Sequence, residues 1–237
     1  MSTEERKVAV VTGASQGIGS ALVEAYRDFG FAVVATSRTV GSTDDEGVTT
    51  VQGDIADPDT ARQVVDTALE RYGRVDTLVN NAGVFIAKPF TDYTAEDYAA
   101  VTGVNLSGFF HITQRVIASM LSQGGGHVVN VTTSLVDNAD SRVTSALASL
   151  TKGGLQSVTK ALAIEYATRG LRVNAVSPGL IKTPMHQVEA HQALAGLHPV
   201  GRMGEVSDIV EAVMFLEKAP FVTGEILHVD GGISAGR

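Results

Sequence analysis

Lys7-Val8-Ala9-Val10-Val11-Thr12-Gly13-Ala14-Ser15-Gln16-Gly17-Ile18-Gly19 decides the fold. Its first half is a continuous apolar run of strand length. Its second half sets glycines at 13, 17 and 19 ahead of a helix-length segment that reaches to about Phe29. A strand that turns through glycine into a helix N-terminus gathers free backbone N–H groups and the positive end of the helix dipole at one point. Glycine also lets the backbone come close to a pyrophosphate placed there. A tight turn alone would satisfy a glycine pattern, but the strand before this one and the helix after it favour dinucleotide binding. Gly30 closes the helix as a left-handed cap would.

The same alternation runs outward to the end of the chain. Phe31 to Thr36 reads as a second strand and Val48 to Gln52 as a third. A helix follows from about Asp57 to Tyr72, with Asp57 as N-cap and Pro58 in the first turn. Val75 to Asn80 is a fourth strand, and Thr94 to Ser122 can hold one long helix, with Glu96 placed for an entry at Tyr93 or Thr94. His127 to Val131, Leu171 to Val176 and Glu225 to Val229 complete the strands. Leu147 to Thr168 and Glu205 to Lys218 complete the helices. Continuous apolar strands alternating with helices predict an α/β fold: a doubly wound parallel sheet with helices on both faces. No linker or repeat interrupts the pattern, so a single domain covering 1–237 is expected. Ser42 to Gly47 reads as a polar surface loop, and Thr183 to Val200 as the least ordered stretch.

Composition removes several classes of function. The 237 residues carry a net charge of −8 without any block of like charge, so no nucleic-acid partner is expected. There is no cysteine, which excludes disulfides and thiolate chemistry. No apolar run approaches the ~20 residues of a membrane helix. Met1 to Lys7 is polar with no apolar signal region behind it, so a cytoplasmic location is expected. His111, His186, His191 and His198 show no metal-binding pattern. His186 and His191, at i and i+5, read as solvated loop residues, and no metal is expected.

The spacing T-G-x-x-x-G-x-G at Thr12–Gly19 resembles that of the short-chain dehydrogenase/reductase family. The resemblance continues through Asn80-Asn81-Ala82-Gly83 after the fourth strand and Asn105 in the following helix. It extends through Asn130-Val131-Thr132-Thr133-Ser134, Ser177-Pro178-Gly179 with Thr183 shortly after, and Val229-Asp230-Gly231-Gly232. It implies a Rossmann-type fold binding a nicotinamide dinucleotide through Gly13, Ser15, Gln16, Gly17, Ile18 and Gly19. Ser37, Arg38, Asp54 and Ile55 would sit near the adenosine end. Asn81, Ala82, Gly83, Lys152, Pro178, Gly179, Ile181 and Thr183 would sit nearer the nicotinamide. An acidic residue ending the second strand would hold ribose hydroxyls and repel a 2′-phosphate. Ser37-Arg38 stands there instead, and a guanidinium suits a phosphate, so NADP(H) is expected over NAD(H). Arg38 could also be a solvated loop residue.

The resemblance also implies a tyrosine one helical turn before a lysine, with a serine at the substrate oxygen and an asparagine anchoring a water relay. Lys152 matches the lysine, but position 148 is alanine. Tyr26, Tyr72, Tyr93, Tyr98 and Tyr166 cannot be aligned to it without losing the lysine. Counting from Asn130 gives Thr133 as the serine equivalent, whereas counting back from Ala148 lies nearer Ser134. The candidate catalytic set is therefore Asn105, Thr133, Ser134 and Lys152. Ser134, Ser149, Thr144 or a water held by Lys152 could stand in for the absent phenol. A positioned general acid contributes ~10²–10⁴-fold, a fraction of what enzymes achieve, so alanine need not abolish hydride transfer. Two readings follow. One is an atypical oxidoreductase acting on a small carbonyl or alcohol, imine or activated alkene. The other is a catalytically silent dinucleotide-binding sensor or assembly protein. The two long helices resemble those that pair family members into dimers and tetramers, so a homo-oligomer is expected.

Overall fold

The computed structural model describes residues 6–236. Met1–Glu5, on which the reading of the polar start partly rests, and Arg237 lie outside them. Seven strands form one parallel sheet in the order β3-β2-β1-β4-β5-β6-β7. They are β1 (Val8–Thr12), β2 (Ala32–Ser37), β3 (Val48–Gln52), β4 (Thr77–Asn80), β5 (Gly126–Val131), β6 (Leu171–Pro178) and β7 (Ile226–Val229). The helices are α1 (Gly17–Asp28), α2 (Pro58–Tyr72), α3 (Ala95–Thr102), α4 (Phe109–Ser122), α5 (Ala146–Tyr166), α6 (His191–Ala195) and α7 (Val206–Lys218).

Residue alternation along the strands builds two cores. Val8 and Val10 face one side with Val64 of α2 and Val116 of α4, while Ala9 and Val11 face the other with Leu22 of α1 and Ile209 of α7. Both faces are therefore apolar, which is why the strands read as unbroken hydrophobic runs. The strand order reverses between β1 and β4, and such a switch leaves a crevice beyond the carboxyl ends of the two strands.

The caps match the sequence closely. The Asp57 carboxylate accepts the Asp59 N–H at 2.9 Å with Pro58 in the first turn. Gly30 adopts φ +95°, and the Phe31 N–H reaches back to the Tyr26 carbonyl at 3.0 Å. Thr94 caps α3 in a reciprocal capping box, but its partner is Asp97, not Glu96.

Several element ends differ by one or two residues from expectation, and four differences bear on the site or its surroundings, three of them for a visible reason. The 94–122 helix is interrupted by a π turn at Gly103–Gly108, an extra residue that apolar periodicity does not register. β4 starts at Thr77 because the backbone of Val75 is bonded by the Gln123 side chain: its N–H donates to Oε1 at 3.3 Å and its carbonyl accepts from Nε2 at 2.8 Å. β6 runs two residues past Val176 because Ser177 and Pro178 pair with His228 and Val229 of β7. The 183–200 stretch contains a short 3-10 turn, Val188–Ala190, and the single-turn α6.

Candidate active site

The site forms where the carboxyl ends of β1, β2, β4, β5 and β6 open onto the switch point. Thr12, the last residue of β1, organises it. Its hydroxyl donates to the Val79 carbonyl at 3.2 Å and accepts the backbone N–H groups of Asn81 at 3.1 Å and Ala82 at 3.0 Å. The Asn81 side-chain amide returns to the Thr12 and Gly13 carbonyls at 2.9 and 3.1 Å. The loop after β4 is thereby fastened to the loop after β1.

The glycines are required by contact as well as by torsion. A Cβ on Gly19 would lie 2.1 Å from the Gly13 carbonyl oxygen, and one on Gly13 would lie 2.8 Å from the Asn81 amide nitrogen. Gly17 has φ +57° and faces Thr183. The cleft along this cradle has a volume of about 460 Å³. Gly13, Ser15, Gln16, Gly17, Ile18 and Gly19 form one wall, Ser37, Arg38, Asp54 and Ile55 one end, and Asn81, Ala82, Gly83 and Thr183 the other. This elongated cleft with backbone donors at the head of α1 fits the diphosphate of a dinucleotide. The Arg38 side chain is exposed on the rim, and no ion pair to it occurs among the described residues.

A second cavity of about 180 Å³ adjoins the cleft and shares Ile18, Asn81, Gly83, Val84, Thr183 and Met185 with it. Pro178, Gly179 and Ile181 line it, and so do Lys152, Ala148 and Thr133. The Lys152 ammonium donates to the Val131 carbonyl at 2.6 Å. Desolvation lowers its pKa to about 8. Gly83 leaves room for this group, since a Cβ there would sit 3.2 Å from Nζ. Ala148, one turn earlier on α5, is buried at 4% exposure and shows the cavity only a methyl group.

The two hydroxyl candidates separate. Thr133 is half-buried and faces the cavity with Lys152, while its oxygen caps the short turn that follows by accepting the Leu135 N–H at 3.3 Å. Ser134 is buried at 2% exposure and lines a smaller neighbouring space with Asn138. Of the other stand-ins for the phenol, the Ser149 hydroxyl donates to the Leu135 carbonyl at 3.2 Å, and neither Ser149 nor Thr144 lines the cavity.

Asn105 lies in the π turn with its side chain buried. Its Oδ1 accepts the Val84 N–H at 2.8 Å, and its Nδ2 donates to the Val84 carbonyl and to Thr151 Oγ1, both at 3.1 Å. Both amide protons are thus spent in joining the loop after β4 to α5. The side chain positions the walls of the site and has no N–H left to donate to a water.

The histidines of the 183–200 stretch depart from expectation. His198 is buried, accepts the Leu180 N–H on Nε2 at 3.0 Å and donates from Nδ1 to the Leu194 carbonyl at 3.2 Å, which pins the stretch to the end of β6. His186, expected in solvent, is half-buried and lines the cavity that holds Lys152 and Ala148. Burial, reinforced by nearby His191, lowers its pKa. Sequence carried no signal for this, because a loop without periodicity does not say which side chains turn inward. Among the described residues no cluster of potential ligands could hold a metal ion, and no helix is long and apolar enough to cross a membrane.

Comparison with known proteins agrees with this geometry. The family model described as enoyl-(acyl carrier protein) reductase matches residues 13–234. A 3-oxoacyl-[acyl-carrier-protein] reductase of Thermotoga maritima is 35% identical over 97% of this chain and 98% of its own length. Among solved structures, ElxO with NADP bound superposes with a TM-score of 0.90 at 26% identity, over 98% of this chain and 100% of that one. The 3-ketoacyl-(acyl-carrier-protein) reductase of Brucella melitensis complexed with NADH superposes with a TM-score of 0.89 at 32% identity, over 97% and 99%. The chain therefore belongs to the short-chain dehydrogenase/reductase superfamily of oxidoreductases, in the family that carries the enoyl-(acyl carrier protein) reductase description.

Proposed function

We propose that this chain is an active oxidoreductase that reduces a small carbonyl, imine or activated alkene, or runs the reverse oxidation, with Ala148 in the place of the usual tyrosine. One observation carries the reading: Lys152, desolvated to a pKa of about 8, and Thr133 share a cavity that opens directly into the glycine-walled cleft. Nothing in the fold alone demands an ammonium half-buried at that junction, where it costs desolvation.

The residues divide the work. The amides at the head of α1 hold the diphosphate, and Lys152 holds the ribose next to the nicotinamide. Thr133 donates a hydrogen bond to the substrate oxygen or nitrogen as negative charge builds on it. Apolar Leu180, Ile181 and Met185 keep water from the cavity. When bound, the dinucleotide supplies or accepts the hydride. Arg38, at the cleft rim and without an ion pair among the described residues, favours NADP(H) over NAD(H) by pairing with a 2′-phosphate. The solved relatives include one with NADP and one with NADH. Exposed Phe110 on α4 and Leu150 and Ile164 on α5 offer an apolar surface to a second copy, consistent with a homo-oligomer.

The competing reading is a silent dinucleotide-binding sensor or assembly protein, and Ala148 is its support. NADPH and NADH are titrated by fluorescence, and NADPH oxidation is then followed over 3-oxoacyl thioesters, diketones, cyclic imines and enoyl thioesters. Turnover of any of these establishes the enzyme. Tight binding with no turnover establishes the silent protein.

A further inference from the structure

We infer that His186 delivers the proton that the missing phenol would have supplied, making it a catalytic residue of this chain. The inference rests on the oxidoreductase reading above. Of the side chains lining the cavity beside Ala148, only Lys152 and His186 exchange protons with water near neutral pH; the rest are apolar, hydroxyl or amide groups. The Lys152 ammonium gives one N–H to the Val131 carbonyl, and the oxidoreductase reading commits the others to the ribose. His186 is not committed: among the described residues no hydrogen bond engages its ring, whereas the rings of His191 and His228 each make one and those of His127 and His198 two.

Its backbone, by contrast, is held on both sides. The His186 N–H donates to the Thr183 carbonyl at 3.0 Å, and the His186 carbonyl accepts from His191 Nε2 at 3.2 Å. Thr183 in turn packs against the Gly17 turn of the phosphate cradle, and Met185 lines both cavity and cleft. The ring therefore hangs from a fixed support at the mouth of the reaction cavity with its nitrogens free. A proton donor needs this combination of fixed position and unspent donor capacity.

The step balances as follows for a ketone. The carbonyl carbon takes the hydride, and the π pair moves to oxygen. The N–H bond of the His186 imidazolium breaks as the O–H bond forms, and the products are an alcohol, a neutral imidazole and the oxidised dinucleotide. Thr133 hydrogen-bonds the same oxygen. The charged or titratable groups facing His186 are Lys152 of α5, which lines the same cavity, and His191 of α6, whose charge disfavours the imidazolium. Desolvation acts in the same direction and is the larger cause. A proton donor must be protonated, so kcat/KM falls as pH rises through a value below 6.5, the ordinary histidine pKa.

The ketone or imine that the unaltered chain reduces fastest is carried into H186Q and into the double variant H186Q/A148Y. We expect kcat of H186Q to fall by at least ~10²-fold, the lower end for a general acid, with NADPH affinity within about twofold and the descending limb, the fall of activity with rising pH, gone. The double variant, with a phenol restored, recovers activity and no longer shows that limb. If H186Q keeps kcat within about threefold and the same pH profile, the assignment is overturned while the oxidoreductase reading stands; no turnover by the unaltered chain overturns both. Histidine NMR supplies a readout without turnover. The His186 resonance should titrate below 6.5 and shift when NADP⁺ and the ketone are added together. A His186 resonance that titrates as a free imidazole and ignores the ketone also overturns the assignment.

Discussion

The ammonium of Lys152 on α5 donates to the carbonyl of Val131, the last residue of β5, at 2.6 Å. This bond fixes the ammonium where the cleft and the reaction cavity meet. Burial has already lowered its pKa to about 8, so the free protein begins to lose this charge just above neutrality. In the proposed role at the ribose, the protonated form donates the stronger hydrogen bonds and alone attracts the anionic dinucleotide by charge. Affinity for NADPH should therefore hold below about pH 7 and weaken as pH rises through about 8. Lys152→Met should weaken binding by about 10–100-fold, the worth of a charge-assisted hydrogen bond, and remove the alkaline break. Fluorescence titration at several pH values measures both; an unchanged break in the methionine variant would assign it to another group.

The Thr12–Asn81 latch and the glycines it holds make a second expectation. Gly19→Ala would drive a methyl group to 2.1 Å from a backbone carbonyl that has no free direction to move. The loop after β1 must shift, and the diphosphate cradle goes with it. NADPH binding should be lost while the far-UV spectrum is retained. Thr12→Val tests the latch itself. It leaves the Ala82 N–H without its acceptor, while the Asn81 N–H keeps the Val79 carbonyl at 3.1 Å, and about 1–3 kcal/mol of stability should go if the Ala82 group stays unsatisfied. Chemical denaturation checks this, and a loss under 0.5 kcal/mol would mean that water replaces the hydroxyl.

The proposed preference for NADP(H) rests on Arg38. Arg38→Ala should weaken NADPH by about 10–100-fold, the cost of a lost charge-assisted pair, and leave NADH within about twofold. Equal losses for both dinucleotides would show that Arg38 packs on the adenine and does not read the phosphate.

At the amino-terminal end of the sheet, far along the strands from the site, Glu217 Oε2 accepts hydrogen bonds from His127 Nδ1 at 2.9 Å, Thr77 at 3.0 Å and Tyr26 at 3.1 Å. Burial lowers the pKa of His127 below its ordinary 6.5 despite the carboxylate beside it. Burial works to raise Glu217, but the hydrogen bonds from His127, Thr77 and Tyr26 hold it below 4.5. Both folded pKa values are depressed, so as pH falls the unfolded chain takes up protons first. The stabilisation stands in full above about pH 6.5 and is lost as pH falls through the folded values. The thermal midpoint should therefore decline from about pH 7 to about pH 4. Glu217→Gln should lower stability at neutral pH by about 1–3 kcal/mol and flatten the lower part of that decline. An unchanged slope in the glutamine variant would place the acid sensitivity elsewhere.

Most of the fold was legible because its demands are local. Gly13, Gly17 and Gly19 are required by contacts within a few residues, and Asp57, Pro58 and Gly30 mark helix ends by their own chemistry. The walls of the cleft were legible for the same reason, since nearly all of them are loop motifs at strand ends. What stayed hidden depends on tertiary placement. The π turn around Asn105 leaves the apolar pattern intact, so neither the extra residue nor the full use of its amide protons could be read. Thr133 and Ser134 are neighbours with the same chemistry, and only the course of the chain after β5 turns one to the cavity and the other away. His186 is the sharpest case. Its position depends on Thr183 and His191 gripping its backbone, contacts inside a stretch without a repeating pattern.

Ala148 is the final and most direct test of where the chemistry occurs. It faces the cavity one turn before Lys152 and opposite Thr133, at i and i+4 on one face of α5. In Ala148→Tyr the new ring would extend into about 180 Å³ of cavity with its hydroxyl near the ammonium, which would stabilise a phenolate and lower the phenol pKa. Carbonyl reduction should appear or rise, by up to the ~10²–10⁴-fold that a positioned acid contributes. The gain should be smaller where His186 already serves, and larger in the H186Q background. The ring occupies space, so bulky ketones should lose in KM part of what small ones gain in kcat. Steady-state kinetics over ketones of increasing size would separate these effects. A folded variant with normal NADPH affinity and no gain on any ketone would show that the substrate carbonyl does not sit between Thr133 and residue 148.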